Sequence, residues 1–325
     1  MAYRYALGWL VALLFPFTIF TFVMTDSPDY PSGQLNPANY PTMALMGAVL
    51  MSAAALATTL LTWKQIPYLR QHTVKVALPS IAQTIAEFKR ALQNEQFRLI
   101  FVIMLVSSAV AGTTANMTTF FWQLTSDDLR WLSLAGVGAA MAFPAVAVLQ
   151  RRLDKKHILF TSASLSLFAG VIVVFLRIIG VLPDNGSKWL LWIIVIDLAF
   201  FYALEVIRGV ISSSVLADIL DQHELKTGYR QEAMFTAAML FCIKATSGLG
   251  ILFGGLILSM IGLPAQAPPS SVPAQTVFNL GLIVGLCLPL LHIVPIAMIG
   301  RYSITRAVHA DIRRQLDERR VAATP

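Results

Sequence analysis

A lysine deep inside an apolar stretch is the residue of this sequence best placed to do chemistry. Lys244 stands in the run FCIKATSGLG, about twelve residues from the charged flank that precedes it, which is roughly 16–18 Å along a helix. A charge at that depth of a bilayer is costly and is a functional-site candidate by default. The side chain is too deep to reach the surface easily, so Lys244 is predicted to contact a substrate or an ion.

Three further charges lie in the preceding apolar stretch. Glu205 and Arg208 are three residues apart, and Asp197 precedes Arg208 by eleven, so all three are placed to interact along one helix. One interpretation is that these three charges and Lys244 neutralise one another and only hold two helices together. The other is that they line a water-filled path, where they bind substrate or respond to a coupling ion.

Weaker candidates complete the set of polar residues in apolar runs. Asn116, in AGTTANMTTFFWQL, is a candidate substrate contact, although Asn and Thr also bond between transmembrane helices. His292 is expected to be a packed, hydrogen-bonded residue, and Cys242 and Cys287 small core residues. We predict no catalytic, cofactor-binding or metal site, because no Ser/His or Cys/His pair, HExxH motif or His/Cys cluster is present.

The elements that carry these residues are predicted to be membrane-spanning helices. The sequence is 57% hydrophobic and only 13% charged, and its mean hydropathy is +0.69. Because a bilayer core requires roughly 20 apolar residues per helix, we predict eight spans, at 5–25, 41–63, 99–123, 131–149, 158–181, 189–213, 233–262 and 276–300. The predicted fold class is an all-α, polytopic membrane helical bundle, since helices satisfy their backbone groups within lipid.

The basic residues fall on one side of these spans. Nineteen of the 24 Lys and Arg residues lie in one set of loops, against Arg130 and Lys188 in the other. By the positive-inside rule the basic side and both termini are predicted to be cytoplasmic. The same asymmetry accounts for the net charge of +7, so no nucleic-acid partner is predicted.

Two basic segments outside the spans have helical patterns of their own. Within residues 64–98, apolar residues recur at helical spacing from 81 to 92, and Ser80 is suited to cap a helix. We predict an amphipathic helix there, on the cytoplasmic surface between two bundles, which is either a passive spacer or a gating element. The tail 301–325 is expected to be solvated or to lie along the anionic inner leaflet as a short helix.

An acidic segment follows the sixth predicted span. In VLADILDQHELKTGYRQEAMF, Asp218, Asp221 and Glu224 recur every third residue on one helix face, and a glycine turn and Arg230 follow. Such a cluster can form ion pairs that hold one conformation and break in another. The alternative is a solvated charged turn.

The segment 217–232, with Lys244 about a dozen residues into the next helix, resembles the glycoside–pentoside–hexuronide:cation symporter family, the melibiose-permease-like branch of the major facilitator superfamily. Segments 30–40 and 150–156 are similar to two further loops of that family. The resemblance implies that 1–63 is the end of an N-terminal half-bundle, 64–98 a cytoplasmic linker, 99–300 a six-helix C-terminal half-bundle and 301–325 a basic cytoplasmic tail. It also implies that the family's first four helices are missing from this sequence.

The resemblance implies a secondary active transporter that couples a cation, Na⁺ or H⁺, to a sugar, glycoside or similar small polar solute by alternating access. It carries over Lys244 and the acidic segment, while the other pathway residues rest on their depth alone. The predicted pathway residues are Lys244, Asp197, Glu205, Arg208 and Asn116. The predicted cytoplasmic gating residues are Asp218, Asp221, Glu224 and Arg230.

Two other functions stay open beside the transporter. The chain is expected not to be an enzyme, but it is compatible with a non-transporting membrane interaction protein. It is also compatible with one part of a split transporter whose missing helices a partner supplies. The expected partners are a polar solute, a coupling cation and the lipid bilayer, and the expected place is a bacterial inner membrane.

Overall fold

The computed structural model of the chain describes residues 2–30, 32–68, 80–114, 117–228, 232–263 and 272–322. Within these ranges the regular structure is helical and no strand occurs. The helices are α1 (Ala2–Phe22), α2 (Asn39–Thr62), α3 (Ile81–Gln93), α4 (Glu95–Thr114), α5 (Met117–Trp122), α6 (Ser126–Leu132), α7 (Gly136–Arg152), α8 (Lys155–Ile178), α9 (Lys188–Thr227), α10 (Glu232–Met260), α11 (Ala274–Leu280), α12 (Leu288–Leu290), α13 (Ile293–Ile299) and α14 (Arg306–Ala322).

Among the described residues, seven helical stretches are long and apolar enough to cross a membrane. They are Asn39–Tyr68, Glu95–Thr114, Ser126–Arg152, Lys155–Ile178, Lys188–Thr227, Glu232–Met260 and Ala274–Ile299. The first predicted span coincides with α1, whose Gly8–Phe22 part is apolar but shorter. The prediction of an all-α, polytopic membrane bundle is confirmed.

The bundle has two ends that differ in charge. At one end, here called the basic end, α7 ends at Arg152 and α8 begins at Lys155. The Lys155 side chain donates a hydrogen bond to Asp218 of α9 there. At the other, the far end, the Asn185 side chain donates to the carbonyl of Phe121, which joins the loop after α8 to the end of α5. Gly33 and Ser126, the first residue of α6, meet at this far end as well.

Helix α9 is the longest element and extends past the predicted span 189–213. It has 40 residues, or about 60 Å of helix, against a hydrocarbon core of about 30 Å. The acidic segment is therefore the projecting end of this helix. Gly228 ends it in the left-handed region (φ 76°), where a glycine has no Cβ to clash. Ile211, Val215 and Ile219 are fully buried along one α9 stripe in the largest core cluster.

Backbones come into direct contact where glycines face a neighbouring helix. A Cβ built on Gly250 of α10 would lie 2.5 Å from the Ala109 carbonyl oxygen of α4, and one on Gly254 would lie 2.7 Å from the Thr113 oxygen. Gly138 of α7 is packed just as tightly against the Ala199 carbonyl of α9. No hydrophobic effect drives helices together within lipid, and small residues let two backbones approach closely enough for van der Waals packing to do so.

Two predictions about the segments outside the spans have different outcomes. Helix α3 lies where the amphipathic helix is predicted, and Ser80 caps it through a reciprocal capping box with Gln83, while its place on the cytoplasmic surface stays a prediction. The solvated-tail prediction is wrong, because residues 306–322 form α14, which buries Ile312 and Leu316 against the end of α9. Leu316 and Ile312 recur at i, i+4 on one face, a periodicity that the arginine-rich composition obscured.

The first two helices relate to the rest of the chain in different ways. α1 packs along α6 and α7, with the Trp9 ring 5.2 Å from that of Tyr202. α2 buries no residue within the structure, although it carries large apolar side chains such as Leu56 and Leu61. The division into half-bundles at residues 64–98 stays a prediction, since much of that linker lies outside the described residues.

The glycine contacts generate a stability prediction. Gly250→Leu should destabilise the folded protein by about 1–3 kcal/mol, because the side chain has no space against α4. Gly248→Leu is the matched control, since a Cβ at Gly248 meets nothing within 4 Å. Thermal unfolding of the two purified variants in one detergent measures the difference. Equal melting temperatures would contradict the packing described for α4 and α10.

Candidate functional site

A buried carboxylate organises the basic end of the bundle. Asp218 on α9 is 3% exposed, and the Lys155 ammonium donates to both of its oxygens, at 2.7 and 2.6 Å. A carboxylate removed from water is stabilised only if an opposite charge and hydrogen bonds replace its hydration. The ion pair therefore fixes the start of α8 on α9.

Helix α14 supplies the remaining partners of the acidic segment. His309 Nε2 lies 3.0 Å from an Asp221 oxygen and 3.3 Å from an Asp218 oxygen. Nearer the end of α9, Glu224 forms an ion pair with Arg320 of α14, with 3.2 Å between the charged atoms. All three predicted acidic residues thus take part in one cluster, here called the charge cluster and defined by Asp218, Asp221, Glu224, Lys155, Tyr302, His309 and Arg320.

Tyr302 joins this cluster from the segment before α14. Its ring is 2% exposed, and its hydroxyl donates to an Asp218 oxygen over 3.4 Å. Burial, and then the neighbouring charge of Asp218, raise the pKa of Tyr302 above its ordinary value. The phenol is accordingly held neutral, as a hydrogen-bond donor to the carboxylate.

A second group of polar residues lies deep in the bundle. Arg208 and Glu205 form an ion pair with side chains about one-fifth and one-quarter exposed. They are ten and thirteen residues from Asp218, or about 15–20 Å deeper along α9. Both side chains lie on α9, between the charge cluster and the far end.

That last span is interrupted, contrary to the continuous helix predicted for 276–300. A π-helical stretch (Gly281–Cys287) follows α11, and after the three-residue α12 the chain turns at Leu291 and His292 before α13. Pro289 and Pro295 contribute, because proline lacks the N–H that a continuing helix requires. Irregular backbone at membrane depth occurs where it is enclosed by protein or lines a cavity.

Lys244 has the opposite environment to Arg208. Its residue is exposed on α10, and no carboxylate among the described residues lies within ion-pair distance of it. Two residues away, the Thr246 hydroxyl bonds that of Ser108 and holds α10 against α4. Asp197 on α9 is half-buried and makes no ion pair with a described residue. The structure therefore brings Glu205 and Arg208 together but leaves Lys244 and Asp197 apart from them.

Two of the predicted site residues, Asn116 and Arg230, lie outside the described residues. The sequence interpretation missed Lys155, Tyr302, His309 and Arg320, which the structure brings to the three acidic residues. The signal for His309 and Arg320 was present, because they lie eleven residues apart and so share a helix face. Nothing in the sequence indicated which acidic helix they face.

Known proteins resemble this chain over most of its length. The family model described as MFS/sugar transport protein matches residues 1–306. The chain belongs to the MFS/sugar transport family. That membership agrees with the predicted major-facilitator resemblance.

Two individual proteins illustrate the similarity. A symporter of Synechocystis sp. is 30% identical over 251 residues, covering 72% of this chain and 43% of the relative. A lactose permease of Lactobacillus delbrueckii subsp. bulgaricus is 24% identical over 283 residues, covering 84% of this chain and 42% of the relative. The MFS/sugar transport chain described here thus spans less than half the length of these relatives.

The ion pair at the centre of the charge cluster predicts energetic coupling. In a double-mutant cycle of Lys155→Met and Asp218→Asn, the two changes should couple by about 1–3 kcal/mol, since each removes the partner of a buried charge. Chemical unfolding of the single and double variants measures the coupling. Asp154→Asn is the control, because Asp154 is only partly buried and lies 4.0 Å from Arg306. Additive effects of Lys155→Met and Asp218→Asn would be inconsistent with the ion pair.

The raised pKa of Tyr302 predicts the behaviour at alkaline pH. A phenol whose pKa is higher in the folded state contributes stability below its unfolded pKa of about 10 and loses that contribution as pH rises further. Wild-type protein should therefore lose stability above that pH faster than Tyr302→Phe, which cannot ionise. Melting temperatures from pH 8 to 11, referred to those of Tyr68→Phe at an exposed tyrosine, test the difference. Parallel curves for wild type and Tyr302→Phe would contradict it.

Proposed function

We propose that this chain is part of a cation-coupled symporter that moves a sugar, glycoside or similar small polar solute by alternating access. The observation that carries the proposal is Lys244, an exposed cation about 18 Å along α10 from Glu232 in a member of the MFS/sugar transport family. A charge with no described carboxylate beside it raises the free energy of the protein at that depth, and a residue with a purely structural role does not require such a charge. Contact with solute or water compensates for that cost.

The deep residues supply the chemistry that such a pathway requires. Lys244 donates hydrogen bonds of the kind that sugar hydroxyls accept, and Arg208 is held by Glu205, which fixes the direction of its guanidinium. Asp197 offers a carboxylate of the kind that binds a proton or a sodium ion. A cation near Asp197 and a solute near Lys244 would then occupy one bundle, which is the minimum for symport.

The charge cluster supports a conformational role at the basic end. Its carboxylates are shared between α8, α9 and α14, so movement of any one of these helices must break an ion pair. We infer that the cluster holds the basic end in one of two arrangements. The distribution of Lys and Arg supports the inference that this end faces the cytoplasm.

A second candidate function has its own observation. The chain spans 43% and 42% of the two relatives, and α2 buries no residue. Both facts fit a half-carrier that acts as an interaction protein, or one polypeptide of a split transporter. Transport against a gradient separates the symporter from the interaction protein.

The deciding experiment uses protein purified from its own membrane and reconstituted in proteoliposomes. Radiolabelled lactose, melibiose and glucose are offered with an inward sodium or proton gradient. Accumulation that collapses with an ionophore supports symport. A folded, monodisperse preparation that accumulates none of these solutes under either gradient would favour the interaction protein.

Lys244 provides the sharpest variant for this assay. Lys244→Met should lower the initial uptake rate about 10- to 100-fold, which corresponds to loss of a hydrogen bond to a charged group. Lys244→Arg keeps the charge and should retain part of the rate. Lys188→Met, an exposed lysine at the far end, is the control for loss of a positive charge. Wild-type uptake by Lys244→Met at normal abundance would remove Lys244 from the pathway.

A further inference from the structure

A polar contact at the far end joins the first two helices to the rest of the chain. The Gly33 N–H donates to Asp26 Oδ1 at 2.9 Å and to Ser126 Oγ at 3.0 Å, across 93 residues of sequence. Among the hydrogen bonds and ion pairs that link two described residues, the bond to Ser126 alone connects 2–68 with 80–322. We call Asp26, Gly33 and Ser126 the far-end clasp.

Each part of the clasp is held in position by its own element. Asn39, the first residue of α2, donates to the Gly33 carbonyl at 3.0 Å. Ser126 begins α6 directly after Thr125, whose hydroxyl and backbone form a capping box with Asp128. A Cβ on Gly33 would lie 2.6 Å from the Thr25 carbonyl oxygen, so only glycine fits this close approach. The loop, α2 and α6 therefore meet at one buried point.

The clasp is buried around Gly33 and Ser126, whereas Asp26 is exposed. Ser32 is 3% exposed and Ser126 1%. Apolar residues close the contact from both sides, with Met24 3% exposed after α1 and Leu124 4% exposed before α6. No comparable polar link between α1–α2 and α4–α13 occurs at the basic end among the described residues.

The closed clasp also leaves polar atoms without partners. Ser32 Oγ and Gln34 Nε2, on either side of Gly33, are buried and make no hydrogen bond with a described residue. Arg130 Nε, one turn along α6 from Ser126, is likewise buried and makes no hydrogen bond with a described residue. Buried groups without partners raise the free energy of the state that buries them, and separation of the loop from α6 would hydrate all three. The closed contact is therefore poised to open.

We propose that the far-end clasp is the gate that closes the far end of the solute pathway, with Asp26, Gly33 and Ser126 as its positioning residues. The proposal rests on the alternating-access function proposed above, in which the pathway opens to one side at a time. Opening breaks the Gly33–Ser126 bond and admits water beside Ser32. Closing restores the bond and the apolar seal of Met24 and Leu124.

Accessibility of a cysteine at Ser32 tests the gate without any measurement of transport. In a background with Cys242 and Cys287 replaced by alanine, Ser32→Cys in nanodiscs should react slowly with a water-soluble maleimide. Adding Ser126→Ala removes one acceptor of the Gly33 N–H and should raise the reaction rate about tenfold. Ser133→Ala is the control, because its hydroxyl bonds only the Arg130 carbonyl within the same turn.

A cross-link supplies the second measurement and keeps the two proposals distinguishable. Ser32→Cys with Ser126→Cys, joined by a short cleavable bis-thiol reagent, should arrest uptake, and reduction should restore it. Cross-linked protein that transports at the unlinked rate would overturn the gate, as would equal maleimide rates for Ser126→Ala and Ser133→Ala. A rise in the maleimide rate in protein that shows no uptake at all would support the clasp and refute the symporter.

Discussion

The structure depends on one constraint, which is that backbone N–H and C=O groups find no water inside hydrocarbon. Helices satisfy these groups internally, so the chain crosses the bilayer as helices and places irregular backbone where protein encloses it. The last span departs from this pattern in its π-helical stretch (Gly281–Cys287) and its turn at His292. Backbone groups stay paired at that turn, because the Leu291 N–H donates to the Leu288 carbonyl at 3.1 Å and the His292 N–H to the Pro289 carbonyl at 2.9 Å.

The same scarcity of water explains how the charged residues are distributed. Deep in the bundle, Arg208 has Glu205 as a partner one helical turn away, which keeps a costly charge neutralised within a single helix. At the basic end, Asp218 is shared by Lys155, Tyr302 and His309 from three different segments. The first arrangement survives movement of α9 as a rigid body, whereas the second changes when the helices move relative to one another.

The contacts between helices are also of two kinds. α10 and α4 meet backbone to backbone through Gly250 and Gly254, and their hydroxyls bond at Ser108 and Thr246. Such contacts are tight and have little freedom to slide. α1 meets α7 and α9 instead through side chains, such as Leu13 against Gly136 and Trp9 against Tyr202. Side-chain contacts tolerate repacking, so relative motion is easier to accommodate at α1 than between α4 and α10.

The sequence by itself determined the fold class, most of the spans, the capped helix at Ser80 and the acidic face of α9, because these depend on local composition and helical periodicity. The tertiary structure decided which basic residues meet that face. Lys155 and His309 are 63 and 91 residues from Asp218 in opposite directions along the chain, and periodicity gives the face of a helix but not its neighbour. Partner choice follows from how helices pack, which is fixed by side-chain shape across distant segments.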